Sequence, residues 1–417
     1  MEPDPQRLAA DWERLSSFRA ADAPGWTRRP FTSPYAAARA WLRERMQQAR
    51  LQTEIDAAGN LVGRRPGASP DLPPLVVGSH TDTVMGGGRF DGMVGVLAGI
   101  EVARRLEEKG IRLRHPFEVI DFLAEEPTDF GISTVGSRAL AGALSPQMLE
   151  RRAGAGGGQS LREAIRSVGG RPEAIGAVRR PPGSVAQYLE LHIEQGPVLE
   201  AEGLRLGVVT AITGICRFRI QVEGRPDHAG TMPMARRRDA LAGAAEIVLD
   251  LERRWQDGAG VGTVGRLQVS PNATNVVPGV VELWAEMRSV DGPRLESERE
   301  AFGAAVEALA RRRGLGVQVD ALSVEAPVPI AAEVQARLAQ VVEELQAGQP
   351  ARRLPSYAGH DGNQMAKIAP IGMLFVPSRG GRSHCPEEWT DLEDVALGAH
   401  ALGAAVLRFD EVTSRES

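Results

Sequence analysis

Along its first half, the chain alternates short apolar runs with longer mixed stretches. The run at 75–77 (Leu75-Val76-Val77) is short, rich in β-branched residues and bounded by Pro and Gly, a pattern that predicts a buried strand, and the stretches at 117–124 and 187–193 also read as strands. Segments 33–48 and 160–168 read as helices, and 94–106 as a helix of small and apolar residues. A further region lies around 137–144, and a glycine-rich break follows at 154–158. Strands alternating with helices predict an α/β sheet covered by helices on both faces.

From about 212 to 325 the rhythm changes. A strand at 215–222 is followed by a helix over about 236–255, strands at 261–269 and 276–288, a helix at 293–313 and a strand at 317–324. That order, βαββαβ, is the ferredoxin-like unit. Its alternating strands, such as 280–287, predict one buried and one exposed face. After a helix at 332–346 the polar loops resume. The fold class is therefore α/β, a helix-covered mixed-sheet domain over 1–211 and 327–417 with a ferredoxin-like domain inserted over 212–326.

Composition narrows the function classes. At 417 residues the chain is too long for one core. Its net charge of −5, with 25% charged residues, implies no polyanion partner. No basic stripe or aromatic platform suits nucleic acid, and no span approaches membrane length. The opening residues 1–5 lack the basic and apolar regions of a signal peptide. The two cysteines, Cys216 and Cys385, make no disulfide framework, which fits a reducing cytoplasm.

Polar groups at strand ends change the picture most. His80 and Asp82 close the 75–77 run, and Asp91 follows in Arg89-Phe90-Asp91-Gly92. Glu125-Glu126 end the 117–124 run, and His192 ends the next strand. His384 stands in Gly380-Gly381-Arg382-Ser383-His384. Only seven histidines occur, and three fall in these settings. Adjacent carboxylates at the end of an apolar strand are costly unless a cation or a proton neutralises them. Imidazoles and carboxylates with almost no thiol suit Zn, Mn, Co or Ni. With one carboxylate bridging, the inventory suffices for two ions sharing a water.

Taken together, the motifs resemble a known family. They are Gly-Ser-His80-Thr-Asp82-Thr, Phe-Asp91-Gly, Glu125-Glu126, His192-Ile-Glu-Gln195-Gly-Pro, His228-Ala-Gly, Asn272-Ala-Thr-Asn275, Arg288, Gly-His360-Asp361 and Ser383-His384-x-Pro-Glu-Glu. In order and over nearly the whole chain, they resemble the M20 metallopeptidase clan and, within it, the hydantoinase/carbamoylase amidase branch. That branch holds N-carbamoyl-L-amino-acid hydrolases, allantoate amidohydrolases and ureidopropionases. The resemblance implies one divalent ion on His80 and His192, a second on Glu126 and His384, and Asp91 bridging them. It makes Asp82 the residue that orients His80, and Glu125 the general base. His228 becomes an oxyanion donor reaching the site of the other subunit, and Arg288 a clamp for the substrate carboxylate with Asn275 and Gln195 nearby. It also implies homodimerisation through the inserted domain.

The chain departs from that pattern at Asp129, Tyr357, Arg379 and Arg382. A solvated loop charge explains the two arginines simply; a sharper reading is that Arg382 binds an anionic group on an unusual substrate. The expected activity is hydrolysis of a linear C–N bond in a small carboxylate-bearing molecule, the ureido group of an N-carbamoyl-L-amino acid. The alternative is an aminoacylase or dipeptidase, or an unusual C–N hydrolase such as an aromatic deaminase, of the same clan. A non-catalytic metal-binding scaffold is disfavoured by the intact Glu125.

Overall fold

Four parallel strands without an exposed residue form the centre of the larger sheet. In spatial order they are Phe117–Phe122, Leu75–His80, Gln187–Ile193 and Ile371–Val376. Successive side chains of a strand point to opposite faces, so burial at every position means that both faces are covered. Helix Met93–Glu108 packs against Leu75–His80 and Gln187–Ile193, and helix Ala332–Leu345 against Ile371–Val376. The computed structural model describes residues 1–154 and 157–412; of the glycine-rich break, 155 and 156 lie outside the described residues.

The sheet is mixed, because antiparallel strands flank its parallel centre. Leu61–Arg65 pairs with Phe117–Phe122, Gln52–Ile55 pairs with Leu61–Arg65, and Gly207–Ile212 runs against Ile371–Val376. The α/β class read from the sequence holds. The helices Pro5–Ser17 and Leu392–Val412 and the strands Gln52–Ile55, Leu61–Arg65 and Gly207–Ile212 add to it.

The chain divides into two compact units. One comprises Met1–Thr210, Ile330–Leu354 and the chain from His360 onward; the other is Ala211–Pro329 with Pro355–Gly359. The second unit has the βαββαβ order. Its strands lie as Gly316–Glu325, Gly214–Glu223, Val280–Ser289 and Val261–Ser270, all antiparallel, with helices Ala240–Arg254 and Gly292–Arg313. Inward residues such as Phe218, Ile220, Leu283 and Met287 meet Ile247, Leu251, Phe302 and Val306 in a core of its own. Asp239 and Asp291 cap the two helices, the first carboxylate accepting the N–H groups of Leu241 and Ala242 and the second that of Arg294. The expected strand over 276–288 is interrupted at Pro278-Gly279. Val276–Val277 pairs instead with Asp227–His228, and the long strand starts at Val280. Proline has no N–H for a ladder, which accounts for the break.

Candidate metal centre

Each parallel strand delivers polar residues at its carboxyl end, where an open α/β sheet builds its sites. His80 is the last residue of Leu75–His80, Glu125 and Glu126 follow Phe117–Phe122, and His192 lies near the end of Gln187–Ile193. His384 sits in the loop after Ile371–Val376. Asp91 comes from the loop that opens helix Met93–Glu108. These residues, spread over 305 positions of sequence, meet in one unit.

Two donor sets share Asp91. His80, Asp91 and His192 form one, and Asp91, Glu126 and His384 the other. Asp91 Oδ1 lies 3.0 Å from His192 Nε2 and 3.7 Å from His80 Nε2. Asp91 Oδ2 lies 2.9 Å from His384 Nε2, which is 3.4 Å from Glu126 Oε1. Two ligands of one tetrahedral ion stand ~3.3 Å apart, given ion–ligand distances of ~2.0–2.1 Å. The donor spacing therefore fits an ion in each set.

The rings are oriented for the same purpose. His80 Nδ1 lies 3.0 Å from the main-chain oxygen of Asp82, and His192 Nδ1 lies 2.9 Å from that of Ile193. A carbonyl only accepts, so both rings carry a proton on Nδ1, and Nε2 faces the centre. Asp82 thus touches His80 through its main chain. Its carboxylate is close as well, Oδ1 standing 3.7 Å from the same Nδ1, and it accepts N–H from Glu125 at 3.2 Å and Glu126 at 3.1 Å. It fixes the turn carrying both glutamates, which residue spacing alone did not show.

Charge balance makes a second test of fit. Burial would push His192 and His384 down, but bonds to Asp91 lift them to about 9 and about 10. Burial and the charge of Asp91 raise Glu126 to about 8. Burial lowers His80. Without cations the cluster therefore holds protons where a divalent ion would sit. Glu125 belongs to neither set. Its Oε2 is 3.6 Å from His80 Nε2, and burial followed by the Glu126 charge pushes it well above the usual carboxylate range.

Gln195 is held against Asp91, its Nε2 donating to Oδ2 at 3.0 Å. Its Oε1 is buried without a partner. Three non-glycine residues near the centre, Ala124, Gln195 and His384, adopt positive φ, a costly backbone that clusters at functional sites. Residues the sequence reading gave no role also appear. Glu190 accepts from Ser79 Oγ at 2.9 Å and Tyr188 Oη at 2.8 Å, and the His360 ring meets His192 edge-on at 4.5 Å. Glu190 alternates with His192 along one strand, a signal that could have marked it.

The expected substrate contacts His228, Asn275 and Arg288 lie in the smaller unit. His228 is exposed and pairs with Val276 across a short ladder. Its Nδ1 accepts N–H from Gly230 at 3.0 Å and Thr231 at 3.2 Å, so the uncharged ring carries its proton on Nε2. Asn275 is exposed, and its carbonyl accepts from Ala229 N–H at 2.9 Å. Arg288 is engaged by Glu286 Oε1 at 2.6 Å and by the Tyr357 carbonyl at 2.8 Å. Asp129 pairs with Arg29 at 3.1 Å, Arg379 with Asp391 at 2.6 Å and Arg382 with Glu387 at 3.0 Å, all partly or largely exposed.

Imidazoles and carboxylates gathered at the carboxyl edge of a mixed α/β sheet, buried except for His384, are the donor class of metal-dependent hydrolases. Residues 76–408 match the family described as Peptidase family M20/M25/M40, and the chain belongs to it. It is 41% identical to an N-carbamoyl-L-amino acid amidohydrolase of Geobacillus stearothermophilus, over 94% of this chain and 96% of that protein. It is 36% identical to a ureidoglycolate hydrolase of Arabidopsis thaliana, over 95% of this chain and 84% of that one. The crystal structure of AtUAH in complex with (S)-hydroxyglycine superposes with a TM-score of 0.88 at 35% identity, covering 99% of both chains.

Proposed function

We propose that this chain is a binuclear metal-dependent amidohydrolase that cleaves the ureido group of an N-carbamoyl-L-amino acid. Water and the carbamoyl compound give the free amino acid, carbon dioxide and ammonia. The observation that carries this reading is the placement of Asp91, whose two oxygens face different donor sets while Glu125 stays outside both. The names of the relatives support the substrate class.

His80, Asp91 and His192 would hold one ion, and Asp91, Glu126 and His384 the other; Zn, Mn, Co and Ni all suit these donors. When bound, such ions acidify water and polarise a carbonyl. Glu125 takes the proton of the attacking water and passes it to the leaving nitrogen, which suits a carboxyl whose affinity for protons is raised. Arg288 binds the substrate carboxylate on exchanging its present partners, and Asn275 and Gln195 are further hydrogen-bonding groups for the substrate. The His228 Nε2–H donates to the developing oxyanion in the centre of a second copy, the chain forming a homodimer through its smaller unit. The two unpaired cysteines, Cys216 and Cys385, support a reducing cytoplasm as its place of work.

The test is ammonia and amine release by metal-reconstituted protein from N-carbamoyl amino acids, ureidoglycolate, allantoate, N-acyl amino acids, dipeptides and amino-substituted aromatic acids. Turnover of N-carbamoyl amino acids is expected to dominate. Turnover confined to acyl, peptide or aromatic compounds would keep the metal chemistry and refute the ureido assignment.

A further inference from the structure

We infer that Glu388 is a positioning residue that braces the loop carrying Asp91 against the loop carrying His384 and so builds the second ion's site. This rests on the two-ion reading above. Glu388 is 1% exposed, although it lies in a loop four residues before Leu392, where helix Leu392–Val412 begins. Its Oε1 accepts main-chain N–H from Phe90 at 2.8 Å and Asp91 at 3.0 Å. Its Oε2 accepts from Ser383 Oγ at 2.7 Å and from the His384 N–H at 3.3 Å. One carboxylate thus spans two loops 297 residues apart.

The seat is shaped for it. A Cβ on Gly88 would stand 2.2 Å from the carboxyl carbon of Glu388, so the 81–92 loop closes over that group only because residue 88 has no side chain. His384 adopts φ +56°, a conformation that persists only where its surroundings over-determine it. The Glu388 bonds to its amide and to the preceding hydroxyl supply that restraint. Ser383 Oγ, while donating to Glu388, also receives Gln195 Nε2–H at 3.3 Å. His80 and His192 have no such dependence, since the carbonyls of Asp82 and Ile193 hold their rings.

Outer partners of metal ligands are typically worth ~10–100-fold in affinity. Glu388→Gln has the same shape; its amide oxygen can keep the Phe90 and Asp91 N–H groups, while its NH2 turns to Ser383, whose hydroxyl can accept, and so loses the bond from the His384 N–H. Chelator-stripped protein is titrated with Mn²⁺ by equilibrium dialysis, with bound metal counted directly. Wild-type chain is expected to take two ions. Glu388→Gln should take the first almost unchanged and the second ~10–100-fold more weakly. At limiting Mn²⁺ its bound metal then falls toward one ion per chain, and excess Mn²⁺ restores turnover with KM unaltered. Ser383→Ala, which removes one of the four bonds to Glu388 together with the hydroxyl's longer contacts at 3.3 Å to Asp91 Oδ2 and Gln195 Nε2, should weaken the second ion less.

A merely structural role would lower the thermal midpoint of the stripped protein without separating the two affinities. Glu388→Gln with second-ion affinity unchanged, or with both ions weakened equally, overturns the brace. Should Glu388→Gln fail to fold, Ser383→Ala decides, and an unchanged second ion overturns it. Wild-type protein that binds fewer than two ions overturns the two-ion reading itself, and the brace with it.

Discussion

Single atoms decide much at this centre. Gly92 has φ +70°, and a Cβ there would stand 2.4 Å from His80 Nε2. Gly92→Ala should displace the ring, so that metal bound at limiting supply and turnover fall together while far-UV circular dichroism stays the same. Glu125→Gln should separate those readouts, cutting kcat by about 10²–10⁴-fold with two ions still bound. Loss of metal instead would mean that Glu125 is a ligand. Arg288→Lys keeps the charge but not the fork and should raise KM for carboxylate-bearing substrates more than it lowers kcat. The chemistry of these residues was legible because buried strands ending in His or Glu-Glu need a reason in the sequence. The bonds from the Glu125 and Glu126 N–H groups to Asp82 and the reach of Glu388 were not, since both depend on loops distant in sequence closing over one another.

At the scale of elements, three of the four parallel strands were readable as largely apolar runs, Ile371–Val376 being missed, and the smaller unit's strands as alternating ones. These are the two patterns that double and single burial impose. Of the strands missed, Gln52–Ile55 and Leu61–Arg65 are short, and their burial is uneven along the hairpin they form. In the smaller unit Phe302 is fully buried and meets Phe218 edge-on at 5.7 Å. Phe302→Ala should cost about 3–5 kcal/mol of that unit's stability, measured by urea unfolding. It removes none of the metal ligands, so bound metal per folded chain should not change.

For the molecule as a whole, the two units differ in what stabilises them. All donors of the centre lie in the larger one, and the core around Phe302 contains none of them. Chelation should therefore lower the calorimetric transition of the larger unit, by ~2.7 kcal/mol at an ion concentration 100 times its Kd, and leave the smaller unit's in place. Metal uptake should also depend on pH. With His192 at about 9 and His384 at about 10 in the metal-free chain, both hold protons at pH 7 that an ion must expel. Affinity should then rise as pH increases through that range and level off above it. Calorimetric titrations at pH 7 in buffers of different ionisation enthalpy should show net proton release. Among the described residues no helix is long and apolar enough to cross a membrane.

Ile371–Val376, the last strand made, fits between Gln187–Ile193 and Gly207–Ile212, which were made long before it. On the ribosome, then, His80, Asp91 and His192 are all present about 10–40 s before His384 emerges, at ~5–20 residues per second. During that interval the central slot of the sheet stands open and only the first donor set is complete. Loading of the pair is in this sense a finishing step, and a chain cut short before residue 384 can be charged with one ion at most.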